Sequence, residues 1–214
     1  MAEGAAPRVV ALQPVAVIDH VVRVRPQALG GLGLEGELGG SRRASARAVQ
    51  ELLVRAGGFT TKAGGSAANT CRSLSQGFQV PTALVGAVGT DEWGVMFQQS
   101  LERAGVRTSG MVTSEGGVTG RCAIVSCEGQ RTMRTNLEDA LRAGPGCVSP
   151  DRLRGSEWLF LSGYSFFTEG LVDAALAAAA EAGCRVALDL ASFEVVRAFK
   201  DAILDLVGSG RLGL

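Results

Sequence analysis

A pair of glycines that opens directly into a helix-forming run is the part of this chain best suited to chemistry. The run reads Gly64-Gly-Ser-Ala-Ala-Asn-Thr70. Glycine lets a ligand approach the backbone closely, and the free N–H groups of a helix's first turn are hydrogen-bond donors. Asn69 lies one turn in, where it can be buried, and its amide both donates and accepts, which suits a sugar hydroxyl. The run predicts a binding site for a small polar ligand, formed by Gly64, Gly65, Ser66 and Asn69.

Two aspartates end predicted strands and are further candidates. Asp19 follows an apolar run, and a carboxylate there accepts hydrogen bonds from two hydroxyl groups of a substrate. Asp189 ends a later strand, at the edge where ligands of α/β sheets bind. Each also has an ordinary interpretation, as a residue that caps a strand–loop junction or faces solvent. The only histidine, His20, has no Ser or Cys partner arrangement, and we interpret it as a packed or surface residue.

Composition excludes several classes of protein. Basic and acidic residues number 21 each, so charge gives no argument for nucleic acid or an anionic membrane as a partner. No apolar run approaches the roughly 20 residues of a membrane span, and the first residues show no signal-peptide pattern. The five cysteines are odd in number and form no Cys-x-x-Cys pair. They favour reduced thiols, a cytoplasmic location and no metal site.

Strand and helix patterns alternate along most of the chain, which predicts a three-layer α/β fold with a parallel sheet. The first strand is predicted over 15–24, and it reads as buried on both faces. We expect Asp91 to cap a helix, and Gly86 and Gly89 to serve the turn before it. The remaining predicted segments are helices over 44–56, 92–103 and 169–182 and strands over 82–88, 106–112, 158–162 and 185–190.

Residues 118–135 differ from this alternation, because they read as an antiparallel hairpin with Gly129 in its turn. We therefore expect a small sheet that stands apart from the main one. A last helix follows Ser192, and its apolar stripe must pack on a sheet. Little sequence follows that helix, so the fold reads as cut in the middle of a strand–helix unit. The predicted stripe consists of Phe193, Val196, Phe199, Ile203 and Leu206.

Four segments, in this order, resemble the PfkB (ribokinase-like) family of carbohydrate and nucleoside kinases. Val17-Ile-Asp19-His-Val21 is similar to a first strand that ends in a substrate-binding aspartate, and the run from Gly64 to Asn69 is similar to the family's N-terminal signature. Val85-Gly-Ala-Val-Gly-Thr-Asp-Glu-Trp-Gly94 resembles its G-x-x-G-x-D-x-x-G segment, and Gly129-Gln-Arg-Thr-Met133 its lid hairpin. The segment 188–193 is similar to plant-type and adenosine-kinase-like members.

The resemblance implies a ribokinase-like domain in which the hairpin, about 118–135, covers a sugar or nucleoside acceptor. Cys122 on the lid strand is then a further candidate contact, and members often form homodimers through the lid. Complete members transfer phosphate from ATP with Mg²⁺, using an Asn-x-x-Glu motif and a Gly-Ala-Gly-Asp motif whose aspartate is the general base. Neither motif occurs in residues 1–214. The chain is thus expected to be the substrate-binding half, inactive alone, with no catalytic or metal residue and no bound nucleotide.

The sequence leaves two other functions open. It argues against two kinds of nucleotide site. The chain is alternatively a non-catalytic module that binds a sugar or nucleoside or pairs with a kinase, or a truncated product without function. A dinucleotide site is disfavoured because residues 86–89 lack the G-x-G-x-x-G spacing. The chain also has no G-x-x-x-x-G-K-[ST] run, so it has no P-loop.

Overall fold

The structure, a computed structural model, describes residues 6–213. In chain order the strands and helices are β1 (Val9–Gln13), β2 (Val17–Arg23), β3 (Ser41–Arg43), α1 (Ala46–Ala56), β4 (Thr60–Gly64), α2 (Ser66–Phe78), β5 (Thr82–Ala87), α3 (Glu92–Arg103), β6 (Val106–Arg107), β7 (Met111–Val112), β8 (Gly120–Cys127), β9 (Gln130–Asn136), α4 (Pro150–Leu153), β10 (Trp158–Ser162), α5 (Leu171–Ala182), β11 (Arg185–Asp189) and α6 (Phe193–Gly208).

The main sheet is parallel, with strand order β11-β10-β1-β5-β6 and with β7 also paired to β5. Its strands are apolar on both faces because helices cover both. Helices α2 and α3 pack on one face with Ala11 and Leu84. Helix α5 and the end of α6 pack on the other with Val10 and Leu12. The three-layer α/β fold predicted from the sequence is confirmed.

The second sheet, which we call the lid sheet, has the strand order β3-β9-β8-β2-β4. The predicted antiparallel hairpin is present as β8 and β9, with Glu128 and Gly129 in its turn at positive φ. Strand β2 pairs parallel to β8 and antiparallel to β4. The lid is therefore a five-stranded sheet rather than a lone hairpin. One of its faces is covered by α1 and by the turns before it, through an apolar cluster around Leu52, Leu53 and Val125.

The strand predicted over 15–24 is present as β2, but it is not the first strand and it belongs to the lid sheet. Strand β1 precedes it in the main sheet, ending at Gln13, and β2 begins at Val17. Pro14 separates them, since proline lacks the N–H that a continuing strand needs. Asp19 consequently lies inside β2 and not at the end of a strand.

Two later predictions also need correction. The strand predicted over 106–112 is two short strands, β6 and β7, separated by Thr108–Gly110. The predicted stripe of α6 is only partly buried: Ile203 is buried, but Phe193 is 69% exposed. The backbone of Phe199 is non-helical, and this kink changes which residues face the sheet between the two parts of α6.

Candidate functional site

A cavity of about 440 Å³ lies between the lid sheet and helix α2. The strands β2, β4, β8 and β9 supply one wall, and the solvent side of α2 supplies the other. Two of the residues predicted to bind a ligand, Asp19 and Asn69, line it together. The lining residues are Asp19, Val21, Arg23, Lys62, Asn69, Arg72, Ser73, Ile124, Ser126 and Arg131.

Asp19 is the buried charge of this cavity. It is 8% exposed, and its carboxylate makes no hydrogen bond to any residue in the described range 6–213. Burial raises the pKa of Asp19, although the charges of Lys62, Arg131 and Arg72 act in the opposite direction. Among the described residues, the fully buried side-chain polar atoms that lack a partner are Ser156 Oγ and Ser165 Oγ, so the Asp19 oxygens reach the cavity, where hydroxyl groups of a ligand can donate to them.

Asn69 lies across the cavity from the lid and is exposed. Its amide oxygen accepts a hydrogen bond of 3.1 Å from Nη1 of Arg72. The same guanidinium donates to the carbonyl of Ala63 in β4, at 3.0 Å. Arg72 therefore ties α2 to the lid sheet and holds Asn69 at the edge of the cavity.

The paired glycines make room for two side chains. A Cβ at Gly64 would overlap the carboxyl group of Asp19, and a Cβ at Gly65 would overlap the amide of Gln13. Gly65 also has φ of 93°, which favours glycine. The glycine pair thus lets Asp19 pack against the start of α2.

Gln13 occupies part of the helix N-terminus that the sequence assigns to a ligand. Its Oε1 accepts a hydrogen bond of 2.9 Å from the N–H of Ala68, and its Nε2 donates to the carbonyl oxygens of Val15 and Gly64. Gln13 therefore caps α2 from the end of β1. No local motif identifies it, because the cap comes from a residue 55 positions away.

The other predicted site residues lie outside the cavity wall. Ser66 Oγ is 3.1 Å from Ser162 Oγ, and Ser162 is in register with Asp189 at the ends of β10 and β11. Oδ1 of Asp189 accepts from the N–H of Ala191 in its own loop. Cys122 is beside Asp19 across β2 and β8 but is buried, with Sγ 3.1 Å from Thr135 Oγ1, and burial raises its pKa to about 11.

The pairing of the lid strands places residues in rows on the cavity face. Asp19 is in register with Cys122, and Val21 with Ile124. The last row joins Arg23, Ser126 and Arg131 on three neighbouring strands. Along β2 itself the cavity face therefore changes from acidic Asp19 through apolar Val21 to basic Arg23, while Lys62 on β4 is in register with Asp19. Sequence reasoning missed the basic row, although the alternation Asp19, Val21, Arg23 on one face of a strand is a readable signal.

The opposite face of β2 carries His20, which is fully buried. Its ring packs edge-on against Phe59 and Trp93, Nδ1 is 3.0 Å from Thr61 Oγ1, and Nε2 accepts from Arg121 at 3.1 Å. Burial and the Arg121 charge lower the pKa of His20 to about 4. The imidazole is therefore neutral at pH 7, and of the two interpretations that the sequence leaves open, a packed or a surface residue, the structure shows the packed one.

Asp91 and the glycines near it hold the lid to the main sheet. Oδ1 of Asp91 caps α3 through Gly94 N–H at 2.8 Å, and its carboxylate accepts from both the N–H and the hydroxyl of Thr119, just before β8. A Cβ at Gly89 would overlap the backbone of residues 117–119. These contacts are structural, as the sequence predicts.

The described residues form neither a three-ligand metal cluster nor a membrane-spanning helix. Between residues 6 and 213, no three His, Cys, Asp or Glu side chains converge in a way that would hold a metal ion. The acidic ligands that Mg²⁺ prefers are thus not assembled in this region. The same range contains no helix with the length and apolarity to cross a bilayer.

Comparison with known sequences identifies a family and one relative. The family described as "pfkB family carbohydrate kinase" matches residues 41–210, about four fifths of the chain. An ATP-dependent ribose-1-phosphate kinase of Halopiger xanaduensis is 34% identical over 100 residues. That alignment covers 46% of this chain and 33% of the relative, so the chain spans about a third of that protein's length.

Solved structures show the same fold. Adenosine kinase from Sinorhizobium meliloti aligns with a TM-score of 0.79 and 26% identity, covering 97% of this chain and 64% of that one. A probable sugar kinase from Rhizobium etli CFN 42 aligns with a TM-score of 0.78 and 25% identity, covering 97% and 63%. Both neighbours are therefore longer than the region described here.

Proposed function

Because the chain belongs to the pfkB family of carbohydrate kinases, we propose that its cavity binds a sugar or nucleoside whose hydroxyl receives a phosphoryl group from ATP. The observation that carries this proposal is Asp19, a buried carboxylate without a hydrogen-bond donor on a cavity wall. A carboxylate accepts hydrogen bonds from two adjacent hydroxyl groups, as in a furanose ring. The acceptors named for the two relatives, ribose-1-phosphate and adenosine, both contain ribose.

The parts of the site have separate tasks in this proposal. Asp19 and Asn69 orient the acceptor, while Gly64, Gly65 and Ser66 shape the start of α2 beside it. The lid sheet limits the access of water to the acceptor, and phosphoryl transfer depends largely on such positioning. Cys122 supports Asp19 from the neighbouring strand, and Asp189 lines the approach at the end of β11.

ATP and Mg²⁺ are the cofactors that the family implies. Since residues 6–213 assemble no metal site, we assign no step to Mg²⁺ here. We propose that phosphoryl transfer requires residues beyond those of this chain, consistent with the 63–64% of the two structural neighbours that it covers. A cytoplasmic location and pairing of two copies through the lid stay predictions.

Acceptor binding by the purified chain tests the proposal directly. Isothermal titration calorimetry with ribose, fructose and adenosine is expected to find an acceptor for the wild type and none for Asp19→Ala, with weaker binding for Asn69→Ala. In a full-length form that carries the family's remaining motifs, the same variants should lower kcat/KM in an ADP-release assay. Unchanged binding in both variants would contradict the site, and ADP release by the chain alone would contradict the assignment of transfer to further residues.

A further inference from the structure

The orientation of the Asn69 amide is set by one side chain of its own helix. Nη1 of Arg72, three residues later in α2, donates to Oδ1 of Asn69 at 3.1 Å. Residues with this spacing lie on the same face of a helix, so the two side chains meet directly. A guanidinium group only donates hydrogen bonds, so the amide atom that faces it must be the oxygen. Arg72 thus prevents the amide from exchanging its oxygen and nitrogen positions.

The amide nitrogen of Asn69 is consequently left for a ligand. Within residues 6–213, Nδ2 of Asn69 has no hydrogen-bond partner, and the side chain lines the cavity. Asp19 lines the same cavity from the lid, and its carboxylate only accepts hydrogen bonds. The cavity therefore offers donors on its helix wall and acceptors on its lid wall.

Arg72 also holds these two walls together. Its Nη2 donates to the carbonyl oxygen of Ala63 in β4 at 3.0 Å. Ala63 is fully buried and directly precedes Gly64, against which the carboxyl group of Asp19 packs. One half-buried guanidinium group therefore contacts both the side chain of Asn69 and the strand that supports Asp19. This arrangement fixes the spacing between the donor and the acceptors of the cavity.

We infer that Arg72 is a positioning residue for the bound sugar or nucleoside: it keeps Asn69 as a hydrogen-bond donor at a set distance from the Asp19 oxygens. The ligand then directs hydroxyl groups at Asp19 and an oxygen lone pair at Asn69. Arg72 acts through Asn69 and makes no contact of its own with the ligand in this role. The inference rests on the proposed function and assigns opposite hydrogen-bonding roles to the two walls of its cavity.

A double-mutant cycle on binding affinity tests this coupling. The proteins are the wild type, Arg72→Met, Asn69→Ala and the double variant, each titrated by calorimetry with ribose, fructose and adenosine. Methionine fills the space of the arginine stem but donates no hydrogen bond to Asn69. Arg72→Met is expected to weaken binding about tenfold in the wild type, but less than about twofold where Asn69 is already alanine. A purely structural tether, or direct contact of Arg72 with the ligand, would weaken binding equally in both backgrounds and would overturn the inference.

Arg103→Met is the matched control for Arg72→Met. Nη2 of Arg103 donates at 3.4 Å to Oε1 of Gln99, one turn earlier in α3, and both side chains are exposed. This variant therefore removes the same charge and a similar contact outside the cavity lining, so affinity should be unchanged. Thermal melts of all the variants establish that each is folded at the temperature of titration.

Arg72→Lys separates position from charge. Burial raises the pKa of Asp19, the charge of Arg72 opposes that rise, and lysine keeps this charge. A single ammonium group cannot hold the two fixed hydrogen bonds of a guanidinium, so Arg72→Lys should bind at least about threefold more weakly than the wild type. Full wild-type affinity would show that the charge alone suffices and would overturn the inference.

Asn69→Asp tests the donor without changing Arg72. Aspartate has the shape of asparagine and keeps an oxygen towards Arg72, but an ionised carboxylate has no donor. Affinity should fall at least as far as in Asn69→Ala, while the melting temperature should not fall, since the new carboxylate pairs with Arg72. Retained affinity would show that the amide oxygen serves the ligand and would overturn the inference.

The outcomes distinguish this inference from the function on which it rests. Binding that needs Asp19, but in which the effects of Arg72→Met and Asn69→Ala are independent, would overturn the positioning role and leave the acceptor site intact. A folded chain that binds none of ribose, fructose and adenosine would overturn both proposals.

Discussion

Asp19 and His20 are neighbours in β2, and both are buried, yet their surroundings differ completely. His20 has a partner for each ring nitrogen and aromatic rings on two sides. Asp19 has no hydrogen-bond partner among residues 6–213 and faces a cavity. A strand exposes alternate residues to opposite faces, so one strand serves both a packed face and a binding face. The comparison shows that partners, and not burial alone, distinguish a structural polar group from a candidate binding group.

The largest expected effect comes from removing the charge of Asp19. Asp19→Asn should weaken acceptor binding at least a hundredfold, about 3 kcal/mol, because charged hydrogen bonds to hydroxyl groups are lost. The same variant should raise the free energy of unfolding by about 1 kcal/mol, since the unpartnered buried charge destabilises the fold. Titration calorimetry and urea unfolding measure the two changes.

The control for this prediction is Asp201→Asn, an exposed aspartate on α6. It should change neither acceptor affinity nor stability by more than about 0.5 kcal/mol. If Asp19→Asn instead destabilises the chain as much as it weakens binding, Asp19 is a structural group like His20 and the contrast between the two faces disappears.

His20 should make stability depend on pH. Its pKa in the folded chain is about 4, and the ordinary value in an unfolded chain is about 6.5. Between these values the unfolded state binds a proton that the folded state does not, so stability is complete above pH 6.5 and falls as pH falls. From pH 7 to pH 5 the expected loss is about 2 kcal/mol.

Asp19 contributes to the pH dependence of stability with the opposite sign to His20. Its pKa is raised in the folded chain, so the folded state binds a proton more strongly than the unfolded state just above pH 4. Urea unfolding of the Asp19→Asn variant at pH 7, 6 and 5 therefore isolates the histidine. Adding His20→Gln should flatten the dependence. A pH slope that survives His20→Gln would show that another group carries it.

Gly64 ends β4 just before α2, and the carboxyl group of Asp19 packs directly against it. In Gly64→Ala the new Cβ would overlap the Asp19 carboxyl group and displace it, so acceptor affinity should fall about tenfold, or 1.4 kcal/mol. Gly77→Ala is the control on the same helix, where a Cβ meets nothing within 4 Å. It should raise stability by about 0.5–1 kcal/mol and leave affinity unchanged. Equal affinities in the two variants would contradict the packing of Asp19 on Gly64.

Local patterns predicted much of the fold. The bounds of α3 and β10 agree with the sequence, because a side-chain cap at Asp91 and a short apolar run are local signals. Strand β1 was missed and β2 was taken as the first strand, because nothing local says that two consecutive apolar strands on either side of Pro14 join different sheets. The kink at Phe199 was also missed, since a helical period assumes a straight helix.

The site was predictable only in part for the same reason. Asp19, Gly64 and Asn69 belong to segments that resemble a known signature. The remaining cavity side chains depend on strand register: Arg131 comes next to Arg23 only because β8 pairs with both β2 and β9. Gln13 caps a helix that begins 53 positions later in the chain. Such contacts arise from tertiary packing between distant residues, which leaves no periodic pattern or fixed spacing in a single sequence.

The smallest expected effect concerns Cys122, which shares the cavity side of the lid with Asp19 but has a partner, as His20 does. Its Sγ is 3.1 Å from Thr135 Oγ1, and it is 3% exposed. If a polar group with its own partner contributes little to binding, Cys122→Ala should change acceptor affinity less than threefold. The thiol should also react slowly with thiol reagents in the folded chain, because burial holds its pKa near 11. A large loss of affinity in Cys122→Ala would instead show direct contact with the acceptor, as the sequence suggests. A hydrogen-bond partner within the chain would then fail to distinguish structural polar groups from those that bind a ligand.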